Sequence, residues 1–322
     1  MAPGSSGEDG GRDRTTGLPR GRPIQPRTIG GVLGSLLTAI VTPFAEDGSI
    51  DFEAFEQLAV HLCDHGSDGV VVAGTTGEAP TLSERERTDL FRAAVAAVGD
   101  RASVVAGTGT YCTRESAALT EQAAAIGVDG VLVVTPYYNK PPQRGIIAHF
   151  EAIASVSELP IVVYNIPSRV IVNIEPETIS RLAEIETVRA VKQANDDLAQ
   201  ARHIVATGLD LYAGDDNLLM PFLELGAVGG ICVHSHLVGD QVAEQVRTAR
   251  EGDVARARAI DRDLAPAYEL LGIQTNPIPV KAALGLLGHR TGGYRLPLVA
   301  PDEAELGRIR DCLGRLGLLV AA

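Results

Sequence analysis

The sequence predicts an α/β fold, a (β/α)8 barrel with a C-terminal helical appendage, and three observations support this expectation. Eight short runs rich in β-branched residues follow one another after residue 35. Longer, alanine-rich amphipathic stretches separate them at intervals of about 25–30 residues, as in parallel strands joined by helices. No G-x-G-x-x-G sequence follows the first run, which counts against a dinucleotide-binding sheet. An open doubly wound sheet stays possible, but eight units in roughly 210 residues favour a closed barrel.

The predicted elements follow in chain order. The strands are Leu36–Val41, Gly69–Ala73, Ser103–Ala106, Gly130–Val134, Ile161–Tyr164, Arg189–Lys192, Leu209–Ala213 and Gly229–Val233. The helices between them are Asp51–His65, Ser83–Val98, Thr113–Ile126, Pro142–Val156, Glu177–Ile185 and Leu198–Ala206. Ser83 and Thr113 each stand where a hydroxyl can cap the helix that follows.

The chain is expected to have three parts. Residues 1–30 are rich in Gly, Pro and Arg and hold no apolar segment of a secretory signal, so they are predicted to be a disordered extension. Residues 31–240 would form the barrel, and residues 241–322 a helical region. In this last part, helical patterns cover Asp240–Arg250, Asp253–Leu271 and Pro301–Leu319, and the N-P-I-P-V-K turn (Asn276–Lys281) leads into another short helix.

Composition excludes several classes of protein. The 322 residues carry a formal net charge of −13, which lacks the basic surface that nucleic-acid binding needs. No apolar run approaches the roughly 18–20 residues of a membrane-spanning helix. The four cysteines are far apart and form no C-x-x-C pair, which favours free thiols in a reducing cytoplasm over disulfides or a zinc ribbon.

Lysine is scarce, and one of the three lysines stands at the end of a predicted strand. Of 28 basic residues, only Lys140, Lys192 and Lys281 are lysines. Lys192 ends the run R-A-V-K, where apolar neighbours would favour the neutral amine that attacks carbonyl groups. A structural ion pair is the alternative, but an arginine would serve equally well there. Lys192 is therefore the candidate nucleophile, whereas Lys140 is expected to be solvated and Lys281 structural.

Three further candidates lie at strand ends, where barrel enzymes place their chemistry. The loop G-T-T-G-E (Gly74–Glu78) offers backbone N–H groups and hydroxyls that suit a carboxylate or phosphate, although it could be an ordinary turn. Tyr164 could pass protons to another hydroxyl such as that of Thr76, and Arg169 could bind a second carboxylate. Taken singly, a core tyrosine and a solvated arginine are the plainer interpretations.

No metal site is predicted. His61 and His65 stand at i and i+4 on a helix, and His234 and His236 flank Ser235, but neither pair brings further ligands at recognisable spacing.

Taken together, these motifs resemble the pyruvate-dependent class I aldolases related to dihydrodipicolinate synthase and N-acetylneuraminate lyase. The resemblance covers the chain from about Gly34 to Leu319. It is carried by G-T-T-G-E, by T-P-Y-Y (Thr135–Tyr138), by Y-N-I-P-S-R (Tyr164–Arg169), by the Lys192 strand, by G-D-D (Gly214–Asp216) and by N-P-I-P-V-K.

The resemblance implies a mechanism and a set of site residues. Lys192 would form an imine with pyruvate, and Tyr164, Thr76 and Tyr138 would relay protons, with Tyr138 reaching in from a neighbouring subunit. Thr75 and Thr76 would hold the pyruvate carboxylate. Further substrate contacts would come from Gly74, Gly77, Gly214 and Ile231. The resemblance also implies a homotetramer or homodimer, with small-molecule substrates and no external cofactor or metal.

Thr75–Thr76 and Arg169 resemble the synthase branch of the family, in which the arginine binds the carboxylate of aspartate semialdehyde. Arg295–Leu298 also looks synthase-like. A sugar acid or related 2-oxo acid as the aldolase or dehydratase substrate is the alternative. A non-catalytic oxo-acid-binding barrel is a further possibility, although it would not need the complete lysine, tyrosine and threonine set.

Some positions depart from the synthase pattern. Gln193 follows the lysine where many synthases have an acid, Val170–Ile171 replace the usual Thr-Gly, and His234 is unusual. Arg87 and Tyr111 stand where lysine-inhibited members commonly carry histidine and asparagine. We therefore expect weak or absent feedback inhibition by lysine.

Overall fold

The computed structural model describes Met1 and residues 31–319, so the predicted extension lies, apart from Met1, outside the described residues. Eight parallel strands, β1 to β8, close into a barrel in sequential order, which confirms the predicted TIM barrel. The strands are β1 (Leu36–Ala39), β2 (Gly69–Val72), β3 (Ser103–Gly107), β4 (Gly130–Val134), β5 (Ile161–Asn165), β6 (Val188–Gln193), β7 (Asp210–Ala213) and β8 (Gly229–Cys232).

Helices surround the barrel and continue beyond it. They are α1 (Phe52–Asp64), α2 (Glu84–Val98), α3 (Thr113–Ile126), α4 (Gln143–Ala154), α5 (Pro167–Val170), α6 (Pro176–Leu182), α7 (Leu198–Ala206), α8 (Leu219–Leu223), α9 (Ser235–Arg250), α10 (Val254–Asp263), α11 (Ala265–Leu271), α12 (Ile278–Leu286) and α13 (Glu303–Arg315). None of the helices in the described part of the chain is long and apolar enough to cross a membrane.

Three helix predictions need correction. The segment predicted as one helix over Asp253–Leu271 forms two helices, because Pro266 has no N–H and its ring crowds the preceding turn. Ser83 caps α2 through a capping box, as predicted, but Thr113 is the first residue of α3 and Cys112 precedes it without a side-chain cap. The short helices α5 and α8 were not predicted, since four or five residues carry too little periodicity.

The strands are buried on both faces, which explains their continuous apolar runs. Side chains from alternate positions fill the barrel, among them Leu37, Val105, Val162 and Ile231. The positions between them pack against the helices in a larger outer core. This alternation places Ala190 inside the barrel, so Lys192, two residues later, points to the same side. The apolar core thus fixes the direction of the candidate nucleophile.

Candidate active site

Lys192 and Tyr164 lie side by side within the barrel. They are paired in the register of β5 and β6, and the Lys192 Nζ lies 4.3 Å from the centroid of the Tyr164 ring. Both side chains are 4% exposed. The two strands therefore hold an amine and a phenol next to each other near the carboxyl ends of the barrel strands.

The loop Gly74–Glu78 follows β2 at the same end of the barrel. Left-handed residues bracket it, with φ of 52° at Ala73 and 57° at Glu78. The Thr42 hydroxyl donates a hydrogen bond of 2.7 Å to the Gly77 carbonyl, which ties the loop to the segment after β1. Thr76 is buried and Thr75 is half-buried. Non-glycine residues in this conformation cost roughly 1 kcal/mol or more, so the surrounding contacts must hold the loop in place.

Asn276 contributes to the site, although the sequence suggested only a turn there. Its Nδ2 donates a 2.9 Å hydrogen bond to the Thr76 Oγ1, and its buried Oδ1 has no partner among the described side chains and backbone. Thr76 was expected to bond to Tyr164, and within residues 31–319 no such bond forms. The N-P-I-P-V-K motif marked this segment as unusual. However, no feature of the sequence predicts that it contacts a loop 200 residues earlier.

Arg169 lies on the short helix α5 and is exposed at the barrel mouth. Its Nη2 donates to the Thr275 hydroxyl and to the Asn276 carbonyl, both at 3.3 Å. A cavity of about 230 Å³ is lined by Arg169 together with Gly74, Thr75 and Tyr164. The Gly74–Glu78 loop, the tyrosine and the arginine thus face one cavity.

The turn that carries Arg169 has an unusual backbone. Ile171 has φ 70° and ψ −34°, and its side chain is 67% exposed. A β-branched residue in this region is strained, and this is the position where the family resemblance leads us to expect glycine. The neighbouring Val170 is buried and packs with the side chains inside the barrel.

Gly214 directly follows β7, and Ile231 lies on β8. Ile231 is fully buried inside the barrel. Gly214 donates its N–H to the Gln193 carbonyl at 2.8 Å. A Cβ at Gly214 would come within 2.9 Å of that carbonyl oxygen, so a larger residue would push β7 and β6 apart.

Tyr138 does not join the site of its own chain. It is 93% exposed, with φ 70°, in the turn after β4. The neighbouring Asn139 holds this turn by donating to the Tyr111 carbonyl at 3.0 Å. Of the five candidate catalytic residues, Tyr138 is the one that a second subunit would have to supply.

Gln193 belongs to a network of amide side chains behind the site. Its Nε2 donates to the Gln200 and Asn195 side chains, both at 2.7 Å. Its Oε1 accepts from Asn165 Nδ2 at 3.0 Å, and Asn165 also donates to Asn173. A carboxylate could not donate the first two bonds, which explains why a glutamine fits this position.

His234 is held against an aspartate behind β8. Its Nδ1 lies next to the Asp216 carboxylate, whose Oδ1 also accepts the backbone N–H groups of Val233 and His234. Asp216, Cys232 and His234 present ligand-type atoms within 4.8 Å of one another. However, that carboxylate oxygen already accepts several bonds, and burial raises the pKa of the Cys232 thiol well above its usual range. We interpret this group as a structural anchor for the loop between β8 and α9.

The other two lysines differ from Lys192 in their surroundings. Lys140 is exposed, as expected. Lys281 is fully buried and forms a 2.7 Å ion pair with Glu78, also fully buried. Its Nζ donates further bonds to the Thr42 and Gly293 carbonyls. The expectation of a structural lysine is confirmed.

The match to known proteins covers nearly all described residues. Residues 32–315 match the model of the dihydrodipicolinate synthetase family. The chain belongs to this family. Relatives in the family include a protein named 4-hydroxy-tetrahydrodipicolinate synthase from Synechocystis sp., 51% identical over 290 residues that cover 89% of this chain and 96% of the relative. A relative of the same name from Moorella thermoacetica is 48% identical and covers 89% of this chain and 99% of its own.

Solved structures of the family agree with the fold. The dihydrodipicolinate synthase of Cyanidioschyzon merolae, crystallised with lysine bound, superimposes with a TM-score of 0.87 at 41% identity, covering 89% of this chain and 99% of the other. This similarity extends over both the barrel and the C-terminal helices.

Proposed function

We propose that the chain condenses pyruvate with L-aspartate 4-semialdehyde to give 4-hydroxy-tetrahydrodipicolinate, a step towards diaminopimelate and lysine. The observation that carries this proposal is the juxtaposition of Lys192 and Tyr164 beside a cavity lined by Thr75 and Arg169. The family and the names of the relatives support it. The protein would thus be a lyase of the Schiff-base-forming class I aldolase type.

Lys192 would start the reaction as a nucleophile. Its neutral amine attacks the keto carbon of pyruvate, and loss of water leaves an imine. Removal of a methyl proton turns the imine into an enamine, whose carbon attacks the aldehyde. The product leaves after its own amino group closes a ring and displaces Lys192. The covalent imine takes the place of an external cofactor.

Thr76 and Tyr164 would move the protons in these steps. The Asn276 amide donates to the Thr76 hydroxyl, so one Thr76 lone pair is occupied and its own proton is free to be donated. Hydrogen bonds in a site without substrate are often incomplete and tighten when the substrate binds. Tyr138 completes the relay when a neighbouring subunit supplies it, so we propose a homotetramer or homodimer in the cytoplasm.

Two anion-binding groups would orient the substrates. The hydroxyls of Thr75 and Thr76, with the backbone around Gly74 and Gly77, hold the pyruvate carboxylate. Arg169 at the cavity mouth holds the carboxylate of the aldehyde substrate through its guanidinium. The backbone of Gly214 and the side chain of Ile231 would form the walls of the space between the threonine loop and Arg169.

The substrate assignment is tested with purified protein, pyruvate and aspartate semialdehyde. We expect condensation by the natural chain, and at least about a hundredfold lower kcat/KM for the aldehyde in Arg169→Leu, because a charged contact worth about 3 kcal/mol is lost. Pyruvate adduct formation should persist in that variant. Release of pyruvate from a deoxy-sugar acid, without turnover of aspartate semialdehyde, would overturn the assignment.

A further inference from the structure

Three histidines lie together on the surface, away from the candidate active site. The rings of His61, in the last turn of α1, and of His65, the residue directly after it, have centroids 4.4 Å apart. His289, which follows α12, places its ring centroid 4.7 Å from that of His61. The sequence spacing placed only His61 and His65 together, and the fold adds the imidazole of His289.

Local structure fixes His289 beside α1. Gly288, two residues after the end of α12, is in the left-handed conformation with φ 91°, and the His289 N–H donates to the Leu284 carbonyl at 2.9 Å. These contacts are those of a glycine-terminated helix end, in which the next residue folds back over the last turn. The adjacent Arg290 then pairs with Asp51 at the start of α1 at 2.6 Å. Two independent contacts therefore fix the position of His289, namely its own backbone hydrogen bond and the ion pair of the adjacent Arg290.

The three imidazoles are equipped to bind an ion. The ring nitrogens of His61 and His289 make no hydrogen bond to any described residue, whereas the His65 Nδ1 lies 2.9 Å from the Asp240 Oδ2. That bond leaves the His65 Nε2 free and gives it the carboxylate partner typical of metal-bound histidines.

The ring spacing also suits a shared ion. Metal–nitrogen bonds of about 2.0–2.1 Å in tetrahedral geometry put the centroids of two ligating imidazoles about 5 Å apart. The observed spacings of 4.4 and 4.7 Å are within 1 Å of that value, but the ligand nitrogens of the three histidines do not all lie within 4.8 Å of one another, so the rings must rotate to share an ion. His65 and Asp240 are about half or more exposed, which leaves a path from solvent.

We propose that His61, His65 and His289 form a binding site for a late first-row divalent cation that prefers imidazole, such as Zn²⁺ or Ni²⁺, with Asp240 orienting His65. The bound ion would link α1 with the segment after α12 and, through Asp240, with α9. It would therefore stabilise the packing of the C-terminal helices on the barrel. This proposal is independent of the imine chemistry at Lys192.

Calorimetric titration of the full chain with NiCl₂ and with ZnCl₂, in a buffer that does not bind metals, tests the site. We expect one strong equivalent per chain and an affinity at least about tenfold lower in His61→Ala and in His289→Ala. His203→Ala serves as the matched control, because that ring bonds to Ser180 and Pro176 on another part of the barrel. Unfolding temperatures measured with EDTA show whether each variant is folded.

Copper provides a second measurement. The electron paramagnetic resonance spectrum of one equivalent of Cu²⁺ should show coordination by several nitrogens, and His289→Ala should remove part of that pattern. Absence of binding, equal binding by His289→Ala and the natural chain, or binding that disappears in Cys63→Ser and persists in His61→Ala would each overturn the proposal.

Discussion

The buried ion pair of Lys281 and Glu78 should make the fold highly sensitive to the loss of one partner. Both side chains are fully buried, and the Lys281 Nζ uses all three of its protons, one on Glu78 and one each on the Thr42 and Gly293 carbonyls. Burial lowers the pKa of Lys281, and the Glu78 carboxylate opposes that effect. Removing the ammonium leaves a carboxylate without its counter-charge in a site closed to water.

Lys281→Met should therefore lower the free energy of unfolding by about 3–5 kcal/mol, the usual cost of removing one partner from a buried pair. That is a large share of the roughly 5–15 kcal/mol that stabilises a typical domain. Lys140→Met is the matched control, since the same substitution at an exposed lysine should change stability by less than about 0.5 kcal/mol. Urea unfolding of both variants at pH 7 gives the two values.

A second substitution separates the charge effect from simple loss of packing. In Glu78→Gln/Lys281→Met no buried charge is left, so the double variant should regain at least about 1 kcal/mol relative to Lys281→Met. If Lys281→Met unfolds within about 1 kcal/mol of the natural chain, or if the double variant is no more stable than Lys281→Met, the reasoning is refuted. Lys281→Met should also lower kcat, because Lys281 holds Glu78 and Glu78 is the last residue of the loop that carries Thr76.

Three further predictions concern other parts of the chain. Ile171→Gly should stabilise the protein by about 1 kcal/mol in urea unfolding, because relief of a 1–3 kcal/mol strain exceeds the entropic cost of glycine, and a loss of stability would contradict this. Burial lowers the pKa of His149 and of His236 to about 4, so the unfolded chain binds more protons and stability should fall between about pH 6.5 and 4. The urea midpoint should vary less with pH across that range in His149→Gln than in the natural chain. The same pH dependence in both would count against a lowered pKa of His149 as its cause. Lysine should inhibit weakly and Arg87→His should strengthen inhibition, whereas strong inhibition of the natural chain by sub-millimolar lysine would be the contrary result.

The repeating pattern of the sequence was enough to predict the barrel, because its strands are buried on both faces and read as short apolar runs. Lys192 and Tyr164 could also be predicted, since a strand end defines both their position and their direction. The break at Pro266 was readable from the proline, yet a continuous helix was predicted because apolar periodicity dominates over a single residue.

Contacts between distant segments could not be predicted. Asn276 bonds to Thr76 across 200 residues, and His289 lies beside His61 across most of the chain. Neither contact has a local signal, because each depends on how the C-terminal helices pack on the barrel. His234 is a different case, because its partner Asp216 follows β7 and the two residues meet only when β7 and β8 pair in the barrel.

The central claim, that Lys192 is the nucleophile, is tested most directly by trapping its imine. The protein is incubated with pyruvate, reduced with borohydride, digested and analysed by mass spectrometry. We predict one reduced pyruvyl group per chain on the peptide that contains Lys192, the same adduct in Lys140→Arg, and none in Lys192→Arg, because a guanidinium stays protonated. An unmodified Lys192 in the natural chain, or an adduct on Lys140 or Lys281 in its place, would contradict the account.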